Sequence, residues 1–257
     1  IAMTGALYRR IEASEKFAAD VAHELKNPLA AARSTAEALT YAKTAEDRDE
    51  LVGQIQGELK RLNRLINDVS NASRLDAELA RQEMQTLDVR VVLTNVTGIF
   101  RDMLSDDGRA IKLIVDPAPS EQAYKIIGND GRLGQVFTNL VDNALSFSPP
   151  GGTITVRARS TGTNVEISVE DQGPGIPADK LQAVFERFYS DRPATDSSRG
   201  KNSGLGLSIS KEIIASHRGE IFAQNRIEPE SGKVIGARFV VQLAEANANG
   251  GSGGRRS

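Results

Sequence analysis

The chain has 257 residues and carries 32 Lys and Arg against 34 Asp and Glu, a formal net charge of −2, so nothing in its charge points to a nucleic-acid partner or a strongly anionic one. It contains no cysteine, which rules out disulfides, thiolate chemistry and cysteine-ligated zinc. No apolar run reaches the length of a bilayer span, Trp is absent, and the length suits two folded units with aliphatic cores.

From Leu7, apolar or small residues recur in alternating steps of three and four at Ile11, Ser14, Ala18, Val21, Leu25, Pro28, Ala32, Thr35 and Leu39, the seam of a long amphipathic helix. Charge and Thr interrupt the pattern over 42–49, where a turn is expected. A second helix then carries Leu51, Ile55, Leu59, Leu62, Ile66 and Val69, with Glu58, Lys60, Arg61 and Arg64 off the seam. Two such helices on a short loop cannot bury both stripes alone, so the expected assembly is a homodimer whose paired hairpins form a four-helix bundle. The first helix holds one of the two histidines. His23 lies one turn from Asn27, with Glu24 beside it and Val21 and Leu25 on the buried stripe. Pro28 has no amide hydrogen, so the Glu24 carbonyl loses its usual partner and a bend is expected just after the histidine.

Residues 77–86 are polar and change periodicity, which marks a linker between a hairpin over 16–76 and a second unit over 87–244. There, helices are expected over 87–104, 132–146 and 204–216, and strands over 111–115, 124–127, 153–158, 165–170, 220–223 and 237–243. Helices grouped with a mostly antiparallel sheet argue for an α+β sandwich. Residues 245–257, ending Gly-Gly-Ser-Gly-Gly-Arg-Arg-Ser, read as a disordered tail.

The candidate chemistry of this unit sits at the ends of its elements. Asn139 and Asn143 are four apart, hence on one helix face, and amide oxygens are hard ligands suited to Mg2+. Asp171-Gln-Gly-Pro-Gly-Ile-Pro177 ends a strand with a carboxylate and two glycines, letting backbone approach a ligand while Asp171 accepts a hydrogen bond from an amino group. Phe185-Glu-Arg-Phe-Tyr189 follows, then a polar stretch over 190–203 expected to be a mobile loop. Gly204-Leu-Gly-Leu207 opens a helix, where amides beside glycines make a phosphate site.

The string His-Glu-Leu-Lys-Asn-Pro-Leu resembles the phosphoacceptor box of sensor histidine kinases, and the later motifs in their order resemble the catalytic domain of that family, within the superfamily that includes gyrase and heat-shock ATPases. The resemblance implies a two-component kinase that uses ATP and Mg2+ to phosphorylate His23, with Glu24 as proton acceptor or ring orienter and Asn27 positioning water for dephosphorylation of a response regulator. It assigns Asn143 and Asn139 to the metal, Asp171 to the adenine amino group, and Gly173 and Gly175 to the pocket floor. Gly204, Leu205 and Gly206 fall to the triphosphate beneath a lid anchored by Phe185 and Phe188, with Arg192, Arg199 or Lys201 as charge partners. Residues 232–239 resemble a last glycine box, and Ser146 stands where many relatives carry a basic residue. The resemblance also implies that residues 1–15 end an upstream signalling helix of the HAMP type, and that the chain is the cytoplasmic part of a bacterial inner-membrane protein, with a receiver domain as partner. An ATP-driven clamp without phosphotransfer is the competing reading. His217, in Ser-His-Arg-Gly, is read as a helix-end cap and not as catalytic.

Overall fold

A computed structural model describes residues 2–79, 84–104, 108–189 and 204–246. They form two compact units. In the first, α1 (Ala2–Leu39) and α2 (Ala45–Leu79) make a helical hairpin. The turn comes earlier than the charge pattern suggests, because Thr44 and Asp47 close a capping box. Thr44 Oγ1 accepts from the Asp47 N–H at 3.0 Å and Asp47 Oδ2 from the Thr44 N–H at 3.3 Å, satisfying two amides that the helix start would leave open. Arg61 Nη2 donates to Glu24 Oε2 at 3.5 Å, joining the two helices. α1 runs on through Pro28, which is buried.

Burial divides α2 into two stripes where the spacing alone suggests one. Leu65 is 2% exposed and Leu51, Ile55, Leu62 and Val69 are half-buried. Val52, Leu59 and Ile66, seven residues apart, are 39%, 48% and 45% exposed. A helix turns only one stripe toward one neighbour, and α2 carries a second that the hairpin leaves uncovered.

The second unit begins with β1 (Gln85–Asp88) and α3 (Val89–Met103). The helix expected from residue 87 thus starts two residues later. Leu87 and Asp88 pair with β3 (Lys125–Gly128) in a two-stranded antiparallel ribbon, and the Asp88 carboxylate accepts from the Arg90 N–H at 2.9 Å, capping α3. β2 (Ala110–Val115), α4 (Asp130–Phe147), β4 (Thr153–Ser160) and β5 (Asn164–Glu170) follow, then α5 (Gly206–Ser216), β6 (Glu220–Ile227) and β7 (Val234–Ala244). The main sheet has the order β2-β4-β5-β7-β6, parallel between β2 and β4 and antiparallel elsewhere. This is the expected α+β sandwich, with α3, α4 and α5 on one face.

Register explains the core. Val156 pairs with Val169 and Val169 with Phe239; Ala158 pairs with Ile167 and Ile167 with Val241. All are buried, and they meet Leu133, Phe137, Leu140 and Ile213 of the helices, none of them measurably exposed. On the other face a polar ladder crosses the strands, with Glu170 between Arg226 and Arg238, and Glu166 beside Arg238 and Gln242.

His217 fastens two of the helices. Its Nδ1–H donates to the Ile213 carbonyl at the end of α5 at 2.8 Å, and its Nε2 accepts from the Asn129 N–H at 3.1 Å, at the start of α4. It caps α5, as read, and also anchors the residue that caps α4, since Asn129 Oδ1 accepts from the Arg132 N–H. Burial pushes the imidazole below its ordinary pKa, against a smaller upward pull from Ile213. The unfolded chain therefore binds a proton that the folded chain resists, and the contribution is intact above about pH 6.5 and lost as pH falls below it. Urea midpoint and amide protection at Asn129 should both drop on acidification, and His217→Gln should flatten that dependence. A wild-type midpoint unchanged across the window would show that His217 is not what links the fold to pH.

Candidate functional site

Asn139 and Asn143 occupy successive turns of α4. Asn139 Nδ2 donates to the Gly206 carbonyl at 3.0 Å and to Ser210 Oγ at 3.3 Å, tying the first turn of α5 to α4. Its Oδ1 accepts no hydrogen bond among the described residues. Asn143 is half-buried, and its side chain makes no hydrogen bond among them. Two amide oxygens thus remain available on one helix face.

Asp171 is 1% exposed. Oδ1 accepts from the Gly173 N–H at 2.8 Å and the Ala237 N–H at 2.9 Å, while Oδ2 accepts nothing among the described residues. Burial raises the carboxyl above its ordinary pKa, and the two amides and the Arg226 guanidinium oppose that rise. Gly173 is packed so closely that a Cβ would meet the Phe147 carbonyl oxygen at 2.8 Å, which sets this loop against the end of α4, one turn past Asn143. Gly175 has φ +80 and a Cβ there would lie 2.3 Å from Val234 Cγ1; only glycine fits both conditions.

Phe185 is buried edge-to-face on Phe239, ring centroids 6.1 Å apart, with Lys211 Nζ 5.8 Å from its centroid. Phe188 is half-buried and has φ 61. Gly204 has φ +73, Leu205 is buried, and Gly206 begins α5. Arg192, Arg199 and Lys201 lie outside the described residues. The fold therefore brings Asn139, Asn143, Asp171, Gly173 and Gly206 to one end of the helical layer, with Gly175 held against the β6–β7 hairpin.

On the hairpin, His23 and Asn27 are exposed one turn apart on α1, while Glu24 is half-buried against Arg61. Arg61 Nη1 also lies 3.8 Å from Glu58 Oε2.

Three residues of this region were not singled out by sequence. Asn225 and Arg226 on β6 grip the 171–177 loop through its backbone, and Gly236 faces Asp171, where a Cβ would come 2.0 Å from the Asp171 carbonyl oxygen. Gly236 falls within the stretch read as a last glycine box. Nothing local marks the other two, because they bind main-chain atoms some fifty positions away.

The donor set fits Mg2+. Among the described residues no three His, Cys, Asp or Glu side chains cluster to hold a metal, whereas the open amide oxygens of Asn143 and Asn139 suit an ion that keeps waters and phosphate oxygens for most of its shell.

Residues 13–78 match the His Kinase A (phospho-acceptor) domain and residues 128–247 the histidine kinase-, DNA gyrase B- and HSP90-like ATPase family. The chain belongs to the sensor histidine kinases, with a phosphoacceptor domain followed by an ATPase domain. Among particular proteins, it is similar to the sensor protein ChvG of Agrobacterium fabrum, 46% identical over 250 residues that cover 96% of this chain and 42% of that one. The chain thus spans less than half the length of this relative. The structure of full-length ShkA in complex with AMPPNP is 27% identical with a TM-score of 0.59, covering 90% of this chain and 46% of that one. The histidine kinase ThkA, solved with the response regulator protein TrrA, shares the fold at 23% identity and a TM-score of 0.71, over 94% of this chain and 64% of that one. Among the described residues no helix is long and apolar enough to cross a membrane.

Proposed function

We propose that this chain is the kinase core of a sensor protein that transfers the γ-phosphoryl group of ATP to His23 and then to an aspartate on the receiver domain of a response regulator. The observation that carries the reading is one chain holding both an exposed imidazole, in a phosphoacceptor box, and a buried carboxylate with one oxygen left open beside glycines. Family membership supports it. Asp171 Oδ2 would accept from the adenine amino group, with Gly173 and Gly175 admitting the base close to backbone. Gly204, Leu205 and Gly206 would turn amides at the head of α5 to the phosphates, with Phe188 as lid anchor and Arg192 and Lys201 as charge partners. Asn143 and Asn139 would hold Mg2+, which when bound offsets phosphate charge.

In the transfer, a ring nitrogen of His23 attacks the γ-phosphorus, the bond to the ADP oxygen breaks, and the ring proton passes to Glu24 or to water. The Arg61 contact holds the Glu24 carboxylate in place on the hairpin. Asn27 can orient water but cannot act as a base, which suits a role in hydrolysing the regulator's aspartyl phosphate. The chain would lie on the cytoplasmic side of a longer protein anchored in the bacterial inner membrane.

The test is to incubate the chain with γ-labelled ATP and Mg2+. Retained label that is labile in acid and stable in alkali is the expected result, as for a phosphoramidate, and Asn143→Ala should reduce it strongly. ATP turnover with no label retained would favour the ATP-driven clamp.

The exposed stripe of Val52, Leu59 and Ile66 supports a homodimer through the hairpin. About half of the Leu59 side chain remains to be covered, so its burial contributes about 0.7–1.5 kcal/mol and occurs twice in the pair, and Leu59→Glu should weaken the dimer at least about tenfold. Sedimentation of wild type and variant reads this directly, and an unchanged dimer would place the interface elsewhere.

A further inference from the structure

Asp171 is oriented from strands β6 and β7, far along the chain from its own motif. Asn225 Oδ1 accepts from the Ile176 N–H at 2.8 Å and Asn225 Nδ2 donates to the Ile176 carbonyl at 2.7 Å. One side chain thus supplies the two-bond exchange that a neighbouring strand would otherwise give. The loop is pressed onto it, since a Cβ on Gly175 would come 2.8 Å from Asn225 Oδ1. Arg226 Nη1 donates to the Asp171 carbonyl at 2.7 Å, and its Nε lies 3.3 Å from Glu170 Oε2, which steadies the guanidinium from its other side.

The local backbone is shaped for this contact. The β6–β7 register shifts between Arg226 and Ile227, and Arg226 stands opposite Gly236. A bulge re-aims the side chains beside it, and a glycine opposite leaves room for an approaching backbone; the room at Gly236 is filled by the Asp171 carbonyl. The Asp171 N–H donates to the Ala237 carbonyl at 3.0 Å and Oδ1 accepts from the Ala237 N–H. Every polar atom of Asp171 except Oδ2 is therefore engaged, with β6 and β7 supplying most of the partners.

We propose that Asn225 and Arg226 are positioning residues for base selection, fixing the 171–177 loop so that Asp171 presents Oδ2 alone to the ring substituent that distinguishes adenine from a 6-oxo purine. This rests on the nucleotide reading above. Neither residue needs to touch the base. The Arg226 charge also favours the ionised carboxylate that such an acceptor requires.

The experiment measures ADP and IDP affinity of the full chain in wild type, Asn225→Leu, Arg226→Met and Arg226→Lys, with thermal unfolding as a control for folding. IDP carries a carbonyl oxygen where ADP carries the amino group. Wild type should prefer ADP. Asn225→Leu and Arg226→Met should each lower the ADP-to-IDP affinity ratio by roughly tenfold, the worth of about one charge-assisted hydrogen bond, while IDP affinity stays within about twofold. Arg226→Lys keeps a cationic donor and should restore much of the ratio. Equal loss of both nucleotides, or a wild-type ratio in both truncated variants, would overturn the inference by leaving only a structural role or none. A wild type that binds neither nucleotide would instead overturn the nucleotide reading beneath it.

Discussion

Asp171→Asn should leave the α/β unit folded yet weaken ADP binding by roughly ten- to a hundredfold, the range expected when a hydrogen bond to a charged group is lost. The substitution keeps shape and keeps Oδ1, so the Gly173 and Ala237 amides retain their acceptor. It changes one atom, Oδ2, from an acceptor into an amide nitrogen that donates. Facing an adenine amino group, that nitrogen sets donor against donor. Facing the carbonyl oxygen of a 6-oxo purine it finds an acceptor, so the ADP-over-IDP preference should shrink or invert.

Stability should move the other way from affinity. Burial raises the Asp171 carboxyl above its ordinary value, so between the unfolded and folded pKa the folded chain holds more protons than the unfolded one. Stability is then gained as pH falls through that window, and the ionised form is a cost at neutral pH. Asn removes the charge, so the urea midpoint at neutral pH should hold or rise. Calorimetric titration with ADP beside urea unfolding checks both. Wild-type affinity in the variant would remove Asp171 from the adenine contact, and lost affinity with a lowered midpoint would mean that the loop had collapsed.

What could be read from the chain alone follows from where each interaction lies. His23 and Asn27, Asn139 and Asn143, and Gly173 and Gly175 are neighbours along one helix or one loop, so spacing exposes them as pairs. β4 and β5 alternate along their length and were legible for that reason, whereas β1 spans only four residues and ends in a helix cap, and β6 runs four residues past the expected 220–223 to Ile227 without alternating. The second stripe of α2 was hidden because Leu59 and Ile66 fit the same three-and-four spacing as Leu62 and Val69, and only burial separates them. Asn225 and Arg226 were invisible because they follow Gln224 in a run of consecutive polar residues past the strand expected over 220–223, which reads as a solvated connection. Their partners are main-chain atoms of residues 171 and 176, which carry no side-chain signature in the sequence.

His23→Gln should abolish the acid-labile label completely while leaving ADP affinity and the hairpin's assembly unchanged. His23 lies exposed on α1 and makes no hydrogen bond among the described residues, so its removal deletes no contact of the fold there, and glutamine is a good helix former. The chemical loss is total, since an amide nitrogen has its lone pair delocalised into the carbonyl and cannot replace an imidazole nitrogen as nucleophile. The only other histidine cannot take over. His217 is buried, with Nδ1 given to the Ile213 carbonyl and Nε2 taken by the Asn129 amide, so no ring nitrogen is open to a phosphorus atom. Glu24→Gln should be milder, lowering the labelling rate by about 10²–10⁴, the range of a lost general base. Its neighbour Arg61 would then face a neutral amide, and a fall in rate shared by Arg61→Ala would assign Glu24 an orienting role through that contact. Label surviving in His23→Gln at the wild-type level would move the acceptor off histidine altogether, and the adduct's stability in acid would then identify a hydroxyl or a carboxylate in its place.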